Sequence, residues 1–443
     1  MTRNDDWLQR SLTAVWHPCT QMKHHPALPL VPVARAQGIW LEDFEGKRYL
    51  DAISSWWVNL FGHGHPQINA AITDQLSQLE HVMLAGFTHR PAVELAERLS
   101  ARTNGTLGHA FFASDGASAT EIALKMSMHT WQNQGLKDKR EFICLQGSYH
   151  GETIGALSVT DIALFREAYA PLIRSEHVHL APSPDARLAQ SGETAEDVAN
   201  RAADALEQLF IARNGHIAAI ILEPLIQCAT GMAMYHPQYL QRVRALCDTY
   251  QAHLICDEIA VGFGRTGSFF AHEQAGIRPD LLCLSKGITG GYLPLSVVLS
   301  TDAIYQAFWD DDTRRGFLHS HSYTGNPLAC RAALATLDLF DSLNVLENNR
   351  QLSALITAHL QPLANHPMVR HFRNTGMIWA MDVQTDQPDF SRRYFSEAMA
   401  RDVLVRPIGN TIYLMPPYVI TEQDAAWLAQ QMLAALNATL DAP

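Results

Sequence analysis

Two residues at the ends of apolar runs carry side chains that suit covalent amine chemistry. Lys286 follows the apolar run 281–285 and opens a glycine-rich stretch, and Asp257 closes the apolar run 254–256. A lysine amine can bond to an aldehyde and an aspartate can keep a pyridine nitrogen protonated, which are two requirements of pyridoxal phosphate chemistry. A lysine beside glycines is more often a solvated surface charge, so this prediction depends on what the rest of the chain provides.

A strand-to-helix turn at residues 114–117 is a candidate phosphate site. Gly116 and Ala117 precede apolar residues at helical spacing, so backbone N–H groups at the start of that helix would face an anion. The helix dipole and the unpaired N–H groups of the first turn would both stabilise a phosphate there. A tight turn with nothing bound explains the same residues equally well.

Three further side chains are placed to support such a site. Tyr149 follows a predicted strand and its ring could stack on a flat cofactor, although a packed loop tyrosine is the plainer interpretation. Glu223 ends a buried run at the edge where α/β folds bind ligands, which indicates a supporting carboxylate or, alternatively, a capping or ion-pairing residue. Arg406 lies among apolar residues and suits a substrate carboxylate, with a structural ion pair as the alternative.

Two other kinds of site have weaker support. Residues 262–267 match the glycine pattern of dinucleotide-binding proteins, but the residues after them are a poor helix start, which argues against a nicotinamide cofactor. The paired histidines lack the spacing of metal ligands, so we predict no metal site and interpret them as loop residues. They are His24 and His25, His63 and His65, His177 and His179, and His319 and His321.

The order of the predicted elements indicates an α/β fold, because short apolar runs alternate with helical patterns through the middle of the chain. The predicted strands are residues 110–113, 141–145, 218–223, 253–257, 281–285 and 295–300, with two more at 377–383 and 412–415. The predicted helices are residues 118–134, 195–213, 237–250, 328–343 and 345–363. We expect residues 1–65 and 336–443 to form one small domain and residues 66–335 to form a large domain.

The composition is that of an ordinary globular enzyme. The 443 residues are 47% apolar and 18% charged with a formal net charge of -12, so neither nucleic acid nor an anionic membrane is an expected partner. No apolar stretch has the character of a signal peptide or the length of a membrane span. The seven cysteines are scattered without a C-x-x-C pair, which is typical of reduced thiols. These features predict a soluble cytoplasmic enzyme.

The combination of residues 257–267 with residues 285–291 resembles the class III aminotransferases of fold type I, and the resemblance runs from Trp16 to the C-terminus. It implies a mostly parallel central sheet, a small α+β domain from both termini, pyridoxal 5′-phosphate as cofactor and a homodimer with active sites at its interface. By position, Lys286 would bond the cofactor and move a proton, Asp257 would pair with the ring nitrogen, and Tyr149 would cover the ring.

The same resemblance implies the remaining contacts. Gly116 and Ala117 would bind the cofactor phosphate, joined by His321 and Ser322 from the other subunit, and Glu223 would lie in the cofactor site. The residues that would contact substrate are Cys19, Trp56, Tyr149, Ser320 and Arg406. Arg406 would take the carboxylate of the amino acceptor.

Further motifs narrow the expected substrates. Residues 16–18, 54–57, 81–83 and 413–418 are similar to a branch that acts in biotin synthesis, in which S-adenosylmethionine gives its amino group to 8-amino-7-oxononanoate. The paired Trp56 and Trp57 are the distinguishing mark of this branch within the class. Another class III ω-aminotransferase is the nearest alternative. A non-catalytic cofactor-binding regulator would be expected to carry a basic DNA-binding segment, and none is visible.

Several positions depart from the best-known pattern of that branch. Cys19 stands in place of a tyrosine, Ala117 in place of a serine and Glu152 in place of an aspartate, and residues 319–326 replace a run with proline and threonine. A sister branch resembles the chain at residues 287–294 and 321–326, and some of its members use lysine as amino donor. We expect S-adenosylmethionine as the donor because it is commoner in the family, with lysine as the alternative.

Overall fold

The computed structural model describes residues 2–26, 28 and 30–441. In chain order, the strands are β1 (Val33–Gln37), β2 (Trp40–Asp43), β3 (Arg48–Asp51), β4 (His109–Ala113), β5 (Glu141–Leu145), β6 (Val178–Ala181), β7 (Ile217–Leu222), β8 (Ile226–Gln227), β9 (Ala233–Met234), β10 (His253–Asp257), β11 (Leu281–Leu284), β12 (Ser296–Ser300), β13 (Val369–Thr375), β14 (Ile378–Val383), β15 (Val403–Leu404) and β16 (Thr411–Leu414).

The short segment Ser54–Trp57 has left-handed backbone angles and is described with the site; the other α-helices are right-handed. They are Arg3–Ala14, Pro66–Leu76, Arg90–Arg102, Gly116–Asn133, Ile154–Ser158, Ala163–Arg166, Ala195–Ala212, Gln238–Tyr250, Asp302–Gln306, Pro327–Ser342, Val345–His359, Gln361–Ala364, Phe390–Ala400 and Glu422–Asp441. None of the helices in the described ranges is long and apolar enough to cross a membrane.

The chain divides into two compact units, of which the first comprises Met1–Pro66 with Arg350–Pro443 and the second comprises Gln67–Asn349. The first unit contains a four-stranded sheet with the order β1-β2-β3-β15 and a three-stranded sheet with the order β13-β14-β16. Val403 of β15 lies opposite Leu50 of β3 in a parallel pair. Segments from the two ends of the chain therefore share one sheet.

The second unit contains a seven-stranded sheet with the order β4-β12-β11-β10-β7-β5-β6. β12 runs antiparallel to both of its neighbours, and the other adjacent strands are parallel. β7, β10, β11 and β12 are buried along their whole length. Strands that are covered on both faces are rich in apolar residues, which explains why the sequence predicts these four well. The mostly parallel sheet with its covering helices confirms the α/β fold.

The helix Gly116–Asn133 packs on this sheet through Ala119, Ile122 and Ala123, which belong to the buried core of the unit. It begins two positions before the predicted start at residue 118. Asp115 caps the helix, because its Oδ1 atom accepts a hydrogen bond of 2.9 Å from the backbone N–H of Ser118. This cap fixes where the first turn begins.

The interpretation of all the paired histidines as loop residues was wrong at His179. This residue lies in β6, the edge strand of the large sheet, where its Nε2 atom is 2.8 Å from Glu141 Oε2. His24 and His177 each end a short 3-10 helix, Met22–His24 and Ser175–His177. β6 is too short to show a clear alternation of apolar and polar residues, and an edge strand tolerates polar side chains.

Candidate active site

Asp257 is the last residue of β10, and Lys286 lies two positions after the end of the neighbouring strand β11. β10 and β11 are parallel, with Asp257 opposite Cys283, and the backbone N–H of Glu258 donates to the carbonyl oxygen of Cys283 over 3.0 Å. Since parallel strands finish at the same edge, both side chains belong to the carboxyl edge of the sheet, where α/β folds bind ligands. Asp257 is buried and Lys286 is partly buried.

Lys286 begins the 3-10 helix Lys286–Thr289 with a φ of 45°, an uncommon backbone conformation for a residue other than glycine. Burial lowers the pKa of its amine, although the nearby Cys228, Asp257 and Glu223 groups oppose that shift. A lower pKa increases the fraction of neutral amine, which is the nucleophilic form.

Asp257 is held by two contacts on its carboxylate. Oδ1 accepts a hydrogen bond of 3.1 Å from the backbone N–H of Ile259, and Oδ2 lies 2.7 Å from Nδ1 of His150. His150 is only 2% exposed, and its Nε2 atom lacks a hydrogen-bonding partner among the described residues. The sequence prediction assigned a role to Tyr149 and missed the adjacent His150, whose contact with Asp257 spans 107 positions and leaves no local signal.

Glu223 supports the loop that carries Tyr149. Its Oε1 atom accepts a hydrogen bond of 3.2 Å from the backbone N–H of Tyr149, and its Oε2 atom accepts one of 3.0 Å from Cys228. Burial raises the pKa of Glu223 to about 7, while His150 acts to lower it and Asp257 to raise it. The carboxyl therefore contacts the backbone of the loop, as expected of a supporting group.

Tyr149 and the start of the helix at Gly116 are brought together by a close backbone approach. A Cβ atom on Gly151, whose φ is 121°, would come within 2.6 Å of Ala117 Cβ, so only glycine allows the loop to pack there. The Tyr149 hydroxyl donates to Glu152 Oε1 over 2.9 Å. The ring itself is partly exposed and available to cover a flat ligand.

These groups fit the three ends of pyridoxal phosphate. Lys286 offers an amine for the aldehyde, and the buried carboxylate of Asp257 offers a partner for a protonated ring nitrogen. The backbone N–H groups of Gly116 and Ala117 lie in the first turn of a helix, where they have no acceptor within the helix and attract a phosphate. A Cβ atom on Gly116 would come within 3.0 Å of Ile259, so glycine also keeps the loop after Asp257 close.

His321 lies in a chain of three basic side chains. Lys125 Nζ is 2.8 Å from His319 Nδ1, and His319 Nε2 is 3.2 Å from His321 Nε2. His321 is partly exposed, and the neighbouring Ser320 and Ser322 are exposed. An imidazole and two hydroxyl groups can each donate a hydrogen bond to an anion.

Three of the predicted substrate residues meet in the first unit. The guanidinium carbon of Arg406 lies 4.5 Å from the centroid of the Trp56 ring, and its Nη2 atom donates to the backbone oxygen of Cys19 over 3.2 Å. A guanidinium over an indole face is a favourable cation–π contact. Cys19 acts here through its carbonyl oxygen, so the contact does not depend on its thiol.

The residues Ser54–Trp57 form a left-handed turn that the sequence prediction missed. Their φ angles are 51°, 45°, 72° and 74° in chain order. A left-handed conformation costs an L-residue roughly 1–2 kcal/mol, so four in succession persist only where the surroundings impose them. Trp56 lies inside this turn, and its side chain is 41% exposed.

The alternative types of site have no support in the described ranges. Residues 262–267 lead through turns to the 3-10 helix Ala271–Ala275 rather than to the α-helix that a dinucleotide site needs. No group of three or more histidine, cysteine or acidic residues in the described part of the chain could hold a metal ion. Six of the seven cysteines, at positions 144, 228, 247, 256, 283 and 330, are buried free thiols, and Cys19 is exposed.

The raised pKa of Glu223 predicts a pH dependence of stability in the protein without cofactor. The pKa of Glu223 is about 7 in the folded state, against the ordinary 4.5 in the unfolded chain. The protonated carboxyl therefore contributes its full stabilisation below pH 4.5, and this contribution is lost as the pH rises through about 7. We expect the free energy of unfolding of the wild type, relative to that of Glu223→Gln, to decrease by about 3 kcal/mol between pH 5 and 8. The unfolding temperature of the wild type should decrease accordingly.

Thermal unfolding of both proteins across this range is the measurement. Glu45→Gln, at an exposed carboxyl, is the matched control and should show no such difference. A constant gap between wild type and Glu223→Gln at every pH would contradict the assigned protonation.

Comparison with known proteins agrees with this geometry. Residues 21–436 match the family model "Aminotransferase class-III". The adenosylmethionine-8-amino-7-oxononanoate aminotransferase of Helicobacter pylori is 45% identical over 422 residues, which cover 93% of each chain. The crystal structure of the enzyme of the same name from Methanocaldococcus jannaschii superposes with a TM-score of 0.90 at 33% identity, covering 98% of this chain and 99% of that one.

A third relative is an amine transaminase from an uncultivated Pseudomonas species, solved in its PLP-bound form. It superposes with a TM-score of 0.90 at 31% identity and covers 96% of this chain and 98% of its own. The match to the family model covers most of the chain and includes Lys286, Asp257 and their supporting residues. The chain belongs to the class III aminotransferases.

Proposed function

We propose that the chain transfers the amino group of S-adenosylmethionine to 8-amino-7-oxononanoate, forming 7,8-diaminononanoate for biotin synthesis with pyridoxal 5′-phosphate as cofactor. The enzymes from H. pylori and M. jannaschii bear the name of this activity, and the Pseudomonas relative binds the cofactor. The observation that carries the proposal is the common strand edge from which Lys286 and Asp257 project. Each supplies a group that this cofactor chemistry needs.

The cofactor, when bound, supplies an aldehyde that joins amines covalently and a ring that withdraws electrons from the adjacent carbon. Lys286 Nζ takes the proton from the amine-bearing carbon of the donor and later returns one to the carbon that receives the amino group. Asp257 holds the ring nitrogen protonated, and His150 fixes the orientation of Asp257 through their 2.7 Å contact. Tyr149 covers the ring and Glu223 holds the backbone of its loop.

We further propose that the active enzyme is a homodimer. Gly116 and Ala117 bind the cofactor phosphate, and His321 and Ser322 reach the phosphate of a second copy. Large apolar residues near His321 support this assignment, since Leu318 is 77% exposed and Tyr323 is 65% exposed. Sedimentation analysis at micromolar concentration tests it, and a monomer with full activity would contradict it.

The proposed substrate contacts are Cys19, Trp56, Tyr149, Ser320 and Arg406. Arg406 pairs with the carboxylate of 8-amino-7-oxononanoate, because a planar guanidinium can donate two parallel hydrogen bonds to that group. The ring of Trp56 packs against one face of the guanidinium. We propose that the first compact unit is the small domain and the second the large domain, which assigns residues 336–349 to the large domain instead of the small one. The buried free thiols support a cytoplasmic location.

The donor is tested with purified holoenzyme and no acceptor. S-adenosylmethionine and lysine are added separately, and the absorbance of the bound cofactor is followed. We expect S-adenosylmethionine to change the spectrum and lysine to leave it unchanged. A spectral change with lysine alone would show that lysine is the donor, and no change with either compound would overturn the substrate assignment.

Arg406→Lys keeps the positive charge but loses the paired donors of the guanidinium. We expect KM for 8-amino-7-oxononanoate to rise roughly tenfold or more, with little change in the rate of the donor half-reaction. Steady-state kinetics with each substrate varied in turn measure both effects. Arg401→Lys is the matched control, because Arg401 is paired with Glu397 in the same unit. An unchanged KM for the acceptor in Arg406→Lys would remove Arg406 from the site.

A further inference from the structure

The left-handed turn Ser54–Trp57 is held by one buried carboxylate. Asp51 is 0% exposed and ends β3. Its Oδ1 atom accepts hydrogen bonds from the backbone N–H groups of Ser55, at 2.9 Å, and Ile53, at 3.3 Å. Its Oδ2 atom accepts one of 2.8 Å from the hydroxyl of Ser55. Both oxygens therefore hold the chain where it enters the left-handed region.

His63 completes this arrangement. Its Nε2 atom is 3.0 Å from Asp51 Oδ2, and its backbone exchanges hydrogen bonds with Gly38 at 2.9 and 2.7 Å. The imidazole therefore approaches the buried carboxylate from a fixed backbone position. A carboxylate removed from water needs such partners to remain charged.

The far side of the turn is also fixed. The hydroxyl of Ser54 donates to the carbonyl oxygen of Met415 over 2.8 Å, and the indole N–H of Trp57 donates to the hydroxyl of Tyr413 over 3.1 Å. Trp56 lies between these two anchored residues, and its ring packs against the Arg406 guanidinium. The backbone of the turn thus determines where the ring under Arg406 lies.

We propose, on the basis of the function given above, that Asp51 and His63 are positioning residues for the amino acceptor. They impose the left-handed turn, the turn places the ring of Trp56, and that ring orients Arg406 toward the acceptor carboxylate. The pair acts on binding of the acceptor and leaves the donor half-reaction alone. Neither residue needs to touch either substrate.

Asp51→Asn in the holoenzyme tests the proposal, because an amide N–H₂ replaces one accepting oxygen. We expect KM for 8-amino-7-oxononanoate to rise about tenfold, with kcat and the donor half-reaction changed less than about twofold. In an Arg406→Lys background the same change should add little, since both act through one contact. Independent, multiplying effects of the two changes would overturn the proposal.

Glycine adopts left-handed conformations without steric cost, so Ser55→Gly added to Asp51→Asn should return KM to within about threefold of the wild type. Asp43→Asn is the matched control: this carboxylate is also buried in the first unit and accepts 2.9 Å hydrogen bonds from Asn4, Glu45 and Lys47. Failure of the glycine rescue, or an equal rise of KM in Asp43→Asn, would reduce Asp51 to a general structural role.

A second measurement does not depend on turnover. With 5-fluorotryptophan incorporated and the Trp56 signal assigned through Trp56→Phe, the fluorine resonance of Trp56 should shift in Asp51→Asn and stay in place in Asp43→Asn. If the wild type fails to aminate 8-amino-7-oxononanoate, the proposed function is wrong and these spectra alone decide the positioning claim. Should Asp51→Asn not fold, His63→Gln takes its place in every comparison, and an unmoved Trp56 resonance overturns the proposal.

Discussion

Lys286→Ala is expected to lower the turnover number by at least about 10⁴-fold, because one amine both bonds the cofactor and moves the proton. The variant should still bind cofactor through the remaining contacts of the site. Borohydride reduction followed by peptide mass analysis should locate the cofactor on Lys286 in the wild type and find no such bond in the variant.

Lys137→Ala is the control for that experiment, since Lys137 is exposed in the same unit. Its turnover and its reduced peptide map should match the wild type. Transamination by Lys286→Ala above about one per cent of the wild-type rate would exceed what the loss of such a residue allows and would remove Lys286 from its role.

Asp257→Asn is expected to lower kcat by roughly 10²–10³-fold, because an amide of the same shape no longer stabilises a positive charge on the ring nitrogen. His150 would remain as a neighbour, so the backbone of the site should be retained. Stopped-flow measurement of the donor half-reaction isolates this effect, since proton removal from the donor depends on the electron demand of the ring.

Asp280→Asn offers a matched control on the same pair of strands. The Asp280 carboxylate accepts from the backbone N–H of Leu254 at 2.7 Å and pairs with Arg244 at 2.8 Å, just before β11 begins. It therefore lies at the opposite end of β10 and β11 from Asp257. We expect lower stability in Asp280→Asn with kcat nearly unchanged, and a comparable loss of kcat in both variants would deny Asp257 a special role.

The sequence was most informative where burial is complete. β7, β10, β11 and β12 are continuous apolar runs, so their ends could be predicted to within a residue, and with them the positions of Asp257 and Lys286. β1, β2 and β13 were not predicted, because partly exposed strands mix polar and apolar residues without a clear period. The pairing of β3 with β15 joins segments that are far apart in the chain and could not be inferred from local pattern.

The parts of the site that were missed depend on contacts between distant residues. His150 appeared only as the neighbour of Tyr149, because nothing local indicates that its ring meets Asp257. The conformation of Ser54–Trp57 contradicts local preference, since serine and tryptophan both favour negative φ. The contacts that stabilise it include two from distant residues, the carbonyl oxygen of Met415 and the hydroxyl of Tyr413, together with the nearby carboxylate of Asp51.

The reversal of β12 has a consequence for the segment that carries Lys286. Parallel neighbours must be joined by a chain that crosses the sheet, whereas antiparallel neighbours can be joined directly. The link between β11 and β12 stays at one edge, and Ser285 Oγ donates across its base to the carbonyl oxygen of Leu295 over 2.8 Å. The conformational entropy of this link is therefore lost during folding. When a ligand binds, the backbone segment that carries Lys286 is already fixed at both of its ends.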